Sequence, residues 1–136
     1  MEANRIDHIS IAVSNLEAAQ TLWEPVLGKS GPDDFYIDEQ EKIKVNRYWL
    51  GEVALELMES TSDDGEVGKF IRNRGEGIMV LSIHVPNTRQ ALQELEEKNY
   101  PLIKGTRTFR NSEYAFIHPR GMNNVLVELI DDADRE

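Results

Sequence analysis

Two glutamates and one histidine stand out because each lies in an otherwise apolar, strand-like stretch. Glu56 interrupts residues 53–58 (VALELM), Glu128 interrupts residues 125–130 (VLVELI), and His8 lies in an alternating apolar segment. A carboxylate in an apolar strand is costly to bury unless it is paired, hydrogen-bonded or bound to a metal. The three side chains therefore predict a shared site for acid–base or metal chemistry.

An internal repeat relates the two glutamates. Residues 7–15 (DHISIAVSN) align with residues 79–87 (MVLSIHVPN) 72 positions later, and Glu128 also lies 72 positions after Glu56. Two separate matches at one offset indicate two copies of one structural unit. The equivalence favours a common role for the pair, whereas a single glutamate of this kind more often faces solvent from a half-exposed sheet.

Periodicity predicts the elements that must position these residues. Residues 5–13 alternate like a strand, Ser14 is expected as the N-cap of the helix that follows, and Gly28 is expected to end that helix. Further strands are expected between Phe35 and Leu50, with a turn near residues 40–42. The second half repeats this plan, so the sequence predicts an α+β chain of two tandem βαβββ modules.

The predicted partition of the chain follows the repeat. With 136 residues, one domain is expected. The expected parts are a first module at 5–58, a linker at 59–77, a second module at 78–131 and a charged tail at 132–136.

Composition excludes several classes of function. The chain has 15 Lys+Arg against 25 Asp+Glu, a net charge of −10, which disfavours nucleic acid and anionic membranes as partners. Cysteine is absent, so there is no disulfide, thiol nucleophile or cysteine-bound metal. Because no long apolar stretch and no signal peptide are found, a soluble cytoplasmic location is predicted.

Five segments resemble one known family in order and in letters. They are residues 7–13 (DHISIAV), 56–62 (ELMESTS), 69–77 (KFIRNRGEG), 115–120 (AFIHPR) and 125–129 (VLVEL). The chain is identified as a member of the vicinal oxygen chelate superfamily, and it resembles the methylmalonyl-CoA epimerase-like and lactoylglutathione lyase-like proteins most. The resemblance implies two βαβββ modules that form a cup-shaped mixed β-sheet, and a homodimer.

The resemblance also implies a metal site. In the family, a His, a Glu or Gln, a second His and a Glu hold a divalent ion, and these positions correspond to His8, Glu56, Val80 and Glu128. Val80 departs from the pattern, so the implied ligands are the other three, for Co, Mn, Ni or Zn, with no organic cofactor. His84 would lie roughly 13 Å from Val80 on one strand and is expected to face solvent instead.

The reaction implied by the resemblance is proton transfer at a carbon next to a carbonyl. Glu39, in a stretch resembling one that supplies a base in epimerase-like relatives, and Glu128 are the predicted catalytic residues, although Glu39 could equally be a surface acid. The implied substrate is an acyl-CoA or a glutathione hemithioacetal. Cations available for its anionic groups are Lys42, Lys44, Arg47, Lys104, Arg107, Arg110 and Arg120.

Two other functions stay open. A metal-free member that binds a small molecule, as resistance-type proteins do, is favoured by Val80. A dioxygenase relative is a weaker alternative, because iron-dependent members usually keep two histidines. The retained glutamates at positions 39, 56 and 128 favour proton transfer over binding alone.

Overall fold

The computed structural model describes residues 1–131, so the predicted tail at 132–136 lies outside the described residues. Within them the chain forms eight strands, three α-helices and one 3₁₀ turn. In chain order these are β1 (Arg5–Ala12), α1 (Leu16–Leu27), β2 (Asp34–Asp38), β3 (Ile43–Leu50), β4 (Val53–Ser60), α2 (Glu66–Arg74), β5 (Gly77–His84), α3 (Thr88–Glu97), β6 (Leu102–Phe109), β7 (Ser112–Ile117), the 3₁₀ turn (Pro119–Gly121) and β8 (Leu126–Asp131). The order β-α-β-β-β occurs twice, as the repeat predicts.

Spatial contacts divide the chain into two compact units. The continuous unit is Ile9–Met79, and the split unit combines Met1–His8 with the chain from Val80 onward. The division falls inside β1, so His8 and Glu128 belong to the split unit, whereas Glu39 and Glu56 belong to the continuous unit.

In the continuous unit the strand order is β2-β3-β4-β1. Strands β2, β3 and β4 pair antiparallel, with Arg47 directly opposite Glu56. A buried apolar cluster that includes Ile11, Tyr48 and Leu57 packs with α1. Because neighbouring residues of a strand point to opposite faces, Arg47 and Glu56 lie on the face away from this cluster.

In the split unit the strand order is β5-β8-β7-β6. Strands β5 and β8 are parallel, with Ser82 paired with Glu128, and the remaining pairs are antiparallel. A second apolar cluster, which includes Val127 and Leu129, packs with Ala91 of α3. Glu128 lies between two core residues in sequence and so points to the opposite face of the sheet.

Helices α1 and α3 begin with equivalent asparagine caps. The side chain of Asn15 accepts a hydrogen bond from the amide of Ala18, and the side chain of Asn87 accepts one from Gln90. The prediction of Ser14 as N-cap is therefore wrong by one residue. The helix ends where predicted, at Gly28, whose φ of 69° is a conformation that glycine adopts without steric cost.

An acidic side chain at the end of a strand supports each of these helix starts. Glu59 accepts a hydrogen bond of 2.6 Å from the amide of Leu16, and Asp131 accepts one of 3.0 Å from the amide of Thr88. Each acceptor satisfies an amide that has no partner within its own helix, next to the positive end of the helix dipole.

No helix among residues 1–131 combines the length and apolar character needed to span a bilayer.

Candidate active site

Glu128 is a buried carboxylate whose surroundings come from neighbouring elements of the split unit. The hydroxyl of Ser82 on β5 donates a hydrogen bond of 2.5 Å to its Oε1 atom. The Nε2 atom of His8 lies 3.2 Å from the same oxygen. Glu128 is only 7% exposed, so both contacts act in a largely desolvated environment.

Asp7 orients the imidazole of His8. The Nδ1 atom of His8 lies 2.8 Å from Asp7 Oδ2, and the guanidinium of Arg5 lies 3.3 Å from the other carboxylate oxygen. A proton on Nδ1 satisfies Asp7 and directs Nε2 at Glu128. The 3.2 Å between Nε2 and Glu128 Oε1 is short enough for a hydrogen bond between the imidazole and the carboxylate.

Glu56 is the equivalent carboxylate of the continuous unit. Its Oε1 atom accepts a hydrogen bond of 3.3 Å from Ser10, and its Oε2 atom accepts one of 3.0 Å from the hydroxyl of Tyr36. The guanidinium of Arg47 forms an ion pair with Oε2 and lies over the ring of Trp49, 4.4 Å from its centroid. The Glu56 carboxylate therefore has donors on both oxygens and a positive charge beside it.

The two glutamates share a serine but differ in their other partners. Each serine precedes its glutamate by 46 positions, as expected for equivalent places in a repeat. The remaining partners are His8 at Glu128, and Tyr36 with Arg47 at Glu56. The repeat thus carries one buried carboxylate per unit and surrounds the two carboxylates with different chemistry.

The sequence predicts Arg47 as one of the cations available to an anionic substrate, and its contact with Glu56 is not predicted. In the structure the side chain of Arg47 is 11% exposed and that of Glu56 is 2% exposed. The turn at Gly51 and Glu52 could have predicted this contact. A two-residue turn pairs Leu50 with Val53, and the same antiparallel register then pairs position 47 with position 56.

Glu39, Val80 and the two histidines other than His8 lie in different surroundings. Glu39 is exposed in the turn after β2, and Val80 is buried. His84 is also buried, and its Nδ1 atom lies 3.0 Å from the side-chain nitrogen of Asn4. The expectation that His84 faces solvent is therefore wrong, because His84 alternates with Val80 and Ser82 on the buried face of β5. His118 caps the 3₁₀ turn by accepting from the amide of Arg120.

The predicted metal ligands differ in how well their positions suit binding of one ion. Within residues 1–131 no three His, Asp or Glu side chains are grouped as a metal-binding set. His8 Nε2 and Glu128 Oε1 are 3.2 Å apart, a separation that two ligands at about 2.0–2.2 Å from one ion can have. Glu56 does not fit as a ligand, because Arg47 already neutralises its charge, and Val80 offers no donor atom.

Residues 7–117 match the sequence profile of the Glyoxalase/Bleomycin resistance protein/Dioxygenase superfamily. The chain belongs to this superfamily. A superfamily relative from Bacillus subtilis (strain 168), "Uncharacterized protein YqjC", is 36% identical over 128 residues, which cover 93% of this chain and 91% of the relative. The mitochondrial methylmalonyl-CoA epimerase of Bos taurus is 27% identical over 128 residues, covering 92% of this chain and 73% of the relative.

A solved structure confirms the predicted superfamily fold. A methylmalonyl-CoA epimerase in complex with methylmalonyl-CoA and NH4+ superposes with a TM-score of 0.90, covering 97% of this chain and 96% of that one. The two sequences are 24% identical, so this likeness establishes the vicinal oxygen chelate fold and leaves the reaction to be argued from the site.

Proposed function

We propose that the chain catalyses proton transfer at a carbon next to a carbonyl, as an epimerase-like or lyase-like enzyme acting on an acyl-CoA or a glutathione hemithioacetal. The observation that carries the proposal is the buried Glu128 carboxylate, held by Ser82 and placed beside His8. Membership of the superfamily and the 27% identity to a methylmalonyl-CoA epimerase support it.

The surroundings of Glu128 suit a group that takes up and returns a proton. The hydroxyl of Ser82 fixes one carboxylate oxygen, and Asp7 fixes the ring of the neighbouring His8. A base that is already positioned avoids the cost of ordering it during the reaction. The contact between His8 and Glu128 gives the carboxylate a route for exchanging its proton with a second group.

An epimerase removes a proton from one face of a carbon and returns one to the other face, so two proton-handling groups are needed. Glu39 is the second proposed group, on the basis of the stretch that it shares with epimerase-like relatives. Its exposed position in a turn keeps it available to an incoming ligand.

The remaining expectations from the resemblance stay predictions. The resemblance predicts a Co, Mn, Ni or Zn ion on His8, Glu56 and Glu128. Because Arg47 already pairs with Glu56, a bound ion would be held by His8 and Glu128, where it would polarise the substrate carbonyl, and the steps above are assigned without it. A homodimer and a cytoplasmic location are likewise proposed from the resemblance and the composition.

Deuterium exchange tests the proposal. Purified protein is incubated with methylmalonyl-CoA, and in parallel with a glutathione hemithioacetal, in D₂O, and incorporation at the carbon next to the carbonyl is followed by NMR. We expect exchange with one of the two substrates and a loss of at least about 100-fold in Glu128→Gln and in Glu39→Gln. Glu41→Gln, in the same turn as Glu39, is the matched control and should exchange at the wild-type rate.

Two results would overturn parts of the proposal. Full exchange in Glu128→Gln would remove this residue from proton transfer, and full exchange in Glu39→Gln would make Glu39 a surface acid. No exchange with either substrate in the wild-type protein would contradict the proposed reaction.

A metal-free binding protein is the second candidate function. The buried Val80 and the ion pair between Arg47 and Glu56 favour it, because both depart from a four-ligand metal site. Its distinguishing result is saturable binding of methylmalonyl-CoA in a calorimetric titration of chelator-treated protein, with no deuterium incorporation.

A further inference from the structure

Both oxygens of the buried Glu56 carboxylate accept hydrogen bonds from side chains. Ser10 donates to one oxygen, and Tyr36 and Arg47 donate to the other. Three different strands, β1, β2 and β3, supply these donors around a residue on β4. The donors converge because Arg47 is directly opposite Glu56 in the antiparallel ladder of β3 and β4.

The Glu56 carboxylate already has a positive charge beside it. Arginine stays protonated at all ordinary pH values, and a guanidinium matches the geometry of a carboxylate. Glu56 and Arg47 are both largely buried, and the ring of Trp49 covers the guanidinium. A metal ion that bound Glu56 would compete with the guanidinium for the same carboxylate and place a second positive charge beside it in a desolvated place, which is unfavourable.

We propose that Arg47 is the resident counter-ion of Glu56 and takes the place that a divalent metal ion would occupy at this carboxylate. Glu56 is then the anchor of a fixed guanidinium and does not act as a metal ligand while Arg47 is present. The inference concerns the cation preference of the chain, goes beyond the proposed reaction and does not depend on it.

Metal titration tests this inference without measuring any activity. Co²⁺ and Mn²⁺ are titrated by calorimetry into chelator-stripped wild-type protein, Glu56→Gln, Arg47→Gln and the double variant. We expect wild-type and Glu56→Gln to have the same metal affinity within about twofold. Arg47→Gln removes the positive charge beside a buried carboxylate, so we expect this variant to bind metal at least about tenfold more tightly, and the double variant should lose this gain.

Two controls separate the ion pair from general effects of charge. Lys44→Gln removes another cation of β3, which pairs with Glu59 at 3.5 Å, and should leave metal affinity unchanged. Arg47→Lys keeps the positive charge and should resemble the wild type. Circular dichroism melting of each variant shows whether it is folded.

Clear results would overturn the inference. A loss of at least about tenfold in metal affinity in Glu56→Gln would show that Glu56 is a ligand despite Arg47. A folded Arg47→Gln without any gain would show that Arg47 does not compete with metal. If Arg47→Gln does not fold, the comparison of wild type with Glu56→Gln decides alone, because both proteins keep Arg47.

Discussion

At the scale of single residues, the partners of a carboxylate set its chemistry. Glu56 and Glu128 occupy equivalent strand positions and accept a hydrogen bond from equivalent serines. An imidazole beside Glu128 can give or take a proton, whereas the guanidinium beside Glu56 cannot. The two halves of the repeat therefore surround equivalent carboxylates with different groups, an imidazole at Glu128 and a guanidinium at Glu56.

Tyr48 gives a prediction about stability at alkaline pH. Its ring is fully buried, and its hydroxyl donates a hydrogen bond of 2.7 Å to Glu24. Burial, followed by the neighbouring Glu24 carboxylate, raises the pKa of Tyr48 well above its usual range. Because the folded-state pKa is raised, the stabilising contribution is complete below about pH 10 and is lost as the pH rises further.

Urea unfolding between pH 8 and pH 11 measures this effect. We expect the free energy of unfolding of the wild type to fall above pH 10, with Tyr48 contributing a slope of at most about 1.4 kcal/mol per pH unit. Tyr48→Phe should lose about 1 kcal/mol at pH 8, because the hydrogen bond to Glu24 is removed, and should show a shallower alkaline slope. Identical slopes in the two proteins would contradict the assignment.

At the scale of elements, the starts of α1 and α3 are built alike. Asn15→Ala and Asn87→Ala should each cost about 1 kcal/mol in the free energy of unfolding, because each leaves a helix amide without its side-chain acceptor. Ser14→Ala is the matched control, since the hydrogen bond of Ser14 to Glu76 uses its backbone amide, and it should change stability by a few tenths of a kcal/mol at most. Chemical denaturation of the three variants compares these values directly, and a larger loss in Ser14→Ala than in Asn15→Ala would refute the cap assignment.

The sequence was sufficient for the order of the elements and for the equivalence of the two halves. Periodicity located the strands around His8, Glu56 and Glu128, and the repeat paired Asn15 with Asn87 as well as the two glutamates. Local rules favoured Ser14 as a cap because serine is a good N-cap residue, but the repeat itself pointed to the next position. Similarity between the halves was thus a better guide than local preference.

Contacts between distant segments could not be predicted from local patterns. The ring of His84 has a hydrogen-bond contact with Asn4, 80 positions earlier in the chain. Asp7 precedes His8 in sequence, yet its role in orienting the imidazole became evident only from their hydrogen bond. The contact between Arg47 and Glu56 differs from these, because the two-residue turn at Gly51 and Glu52 sets its register, although alternation alone does not.

At the scale of the whole molecule, the fold is established, but the same fold can carry more than one reaction. The superfamily supports several chemistries on one architecture, so the shared fold does not select a reaction. The selection rests on the few side chains around Glu128 and Glu56. For this reason the exchange experiment and the metal titration address separate carboxylates.

The net charge of −10 gives a prediction about the stability of the whole chain. Excess negative charge destabilises a compact state through repulsion, and salt screens this repulsion because the Debye length falls from about 30 Å at 0.01 M to about 8 Å at 0.15 M. Salt also weakens exposed ion pairs such as Lys42–Asp64, but each of these contributes only about 0–1 kcal/mol. Repulsion should therefore dominate at pH 7.5, and we expect 0.15 M NaCl to raise Tm by about 3–5 °C relative to 0.01 M.

Calorimetric scans at pH 7.5 and near the pI of about 4.8 supply an internal control, because the net charge approaches zero at the lower pH and the increase should disappear there. An equal increase at both pH values would show that the salt acts through something other than net charge.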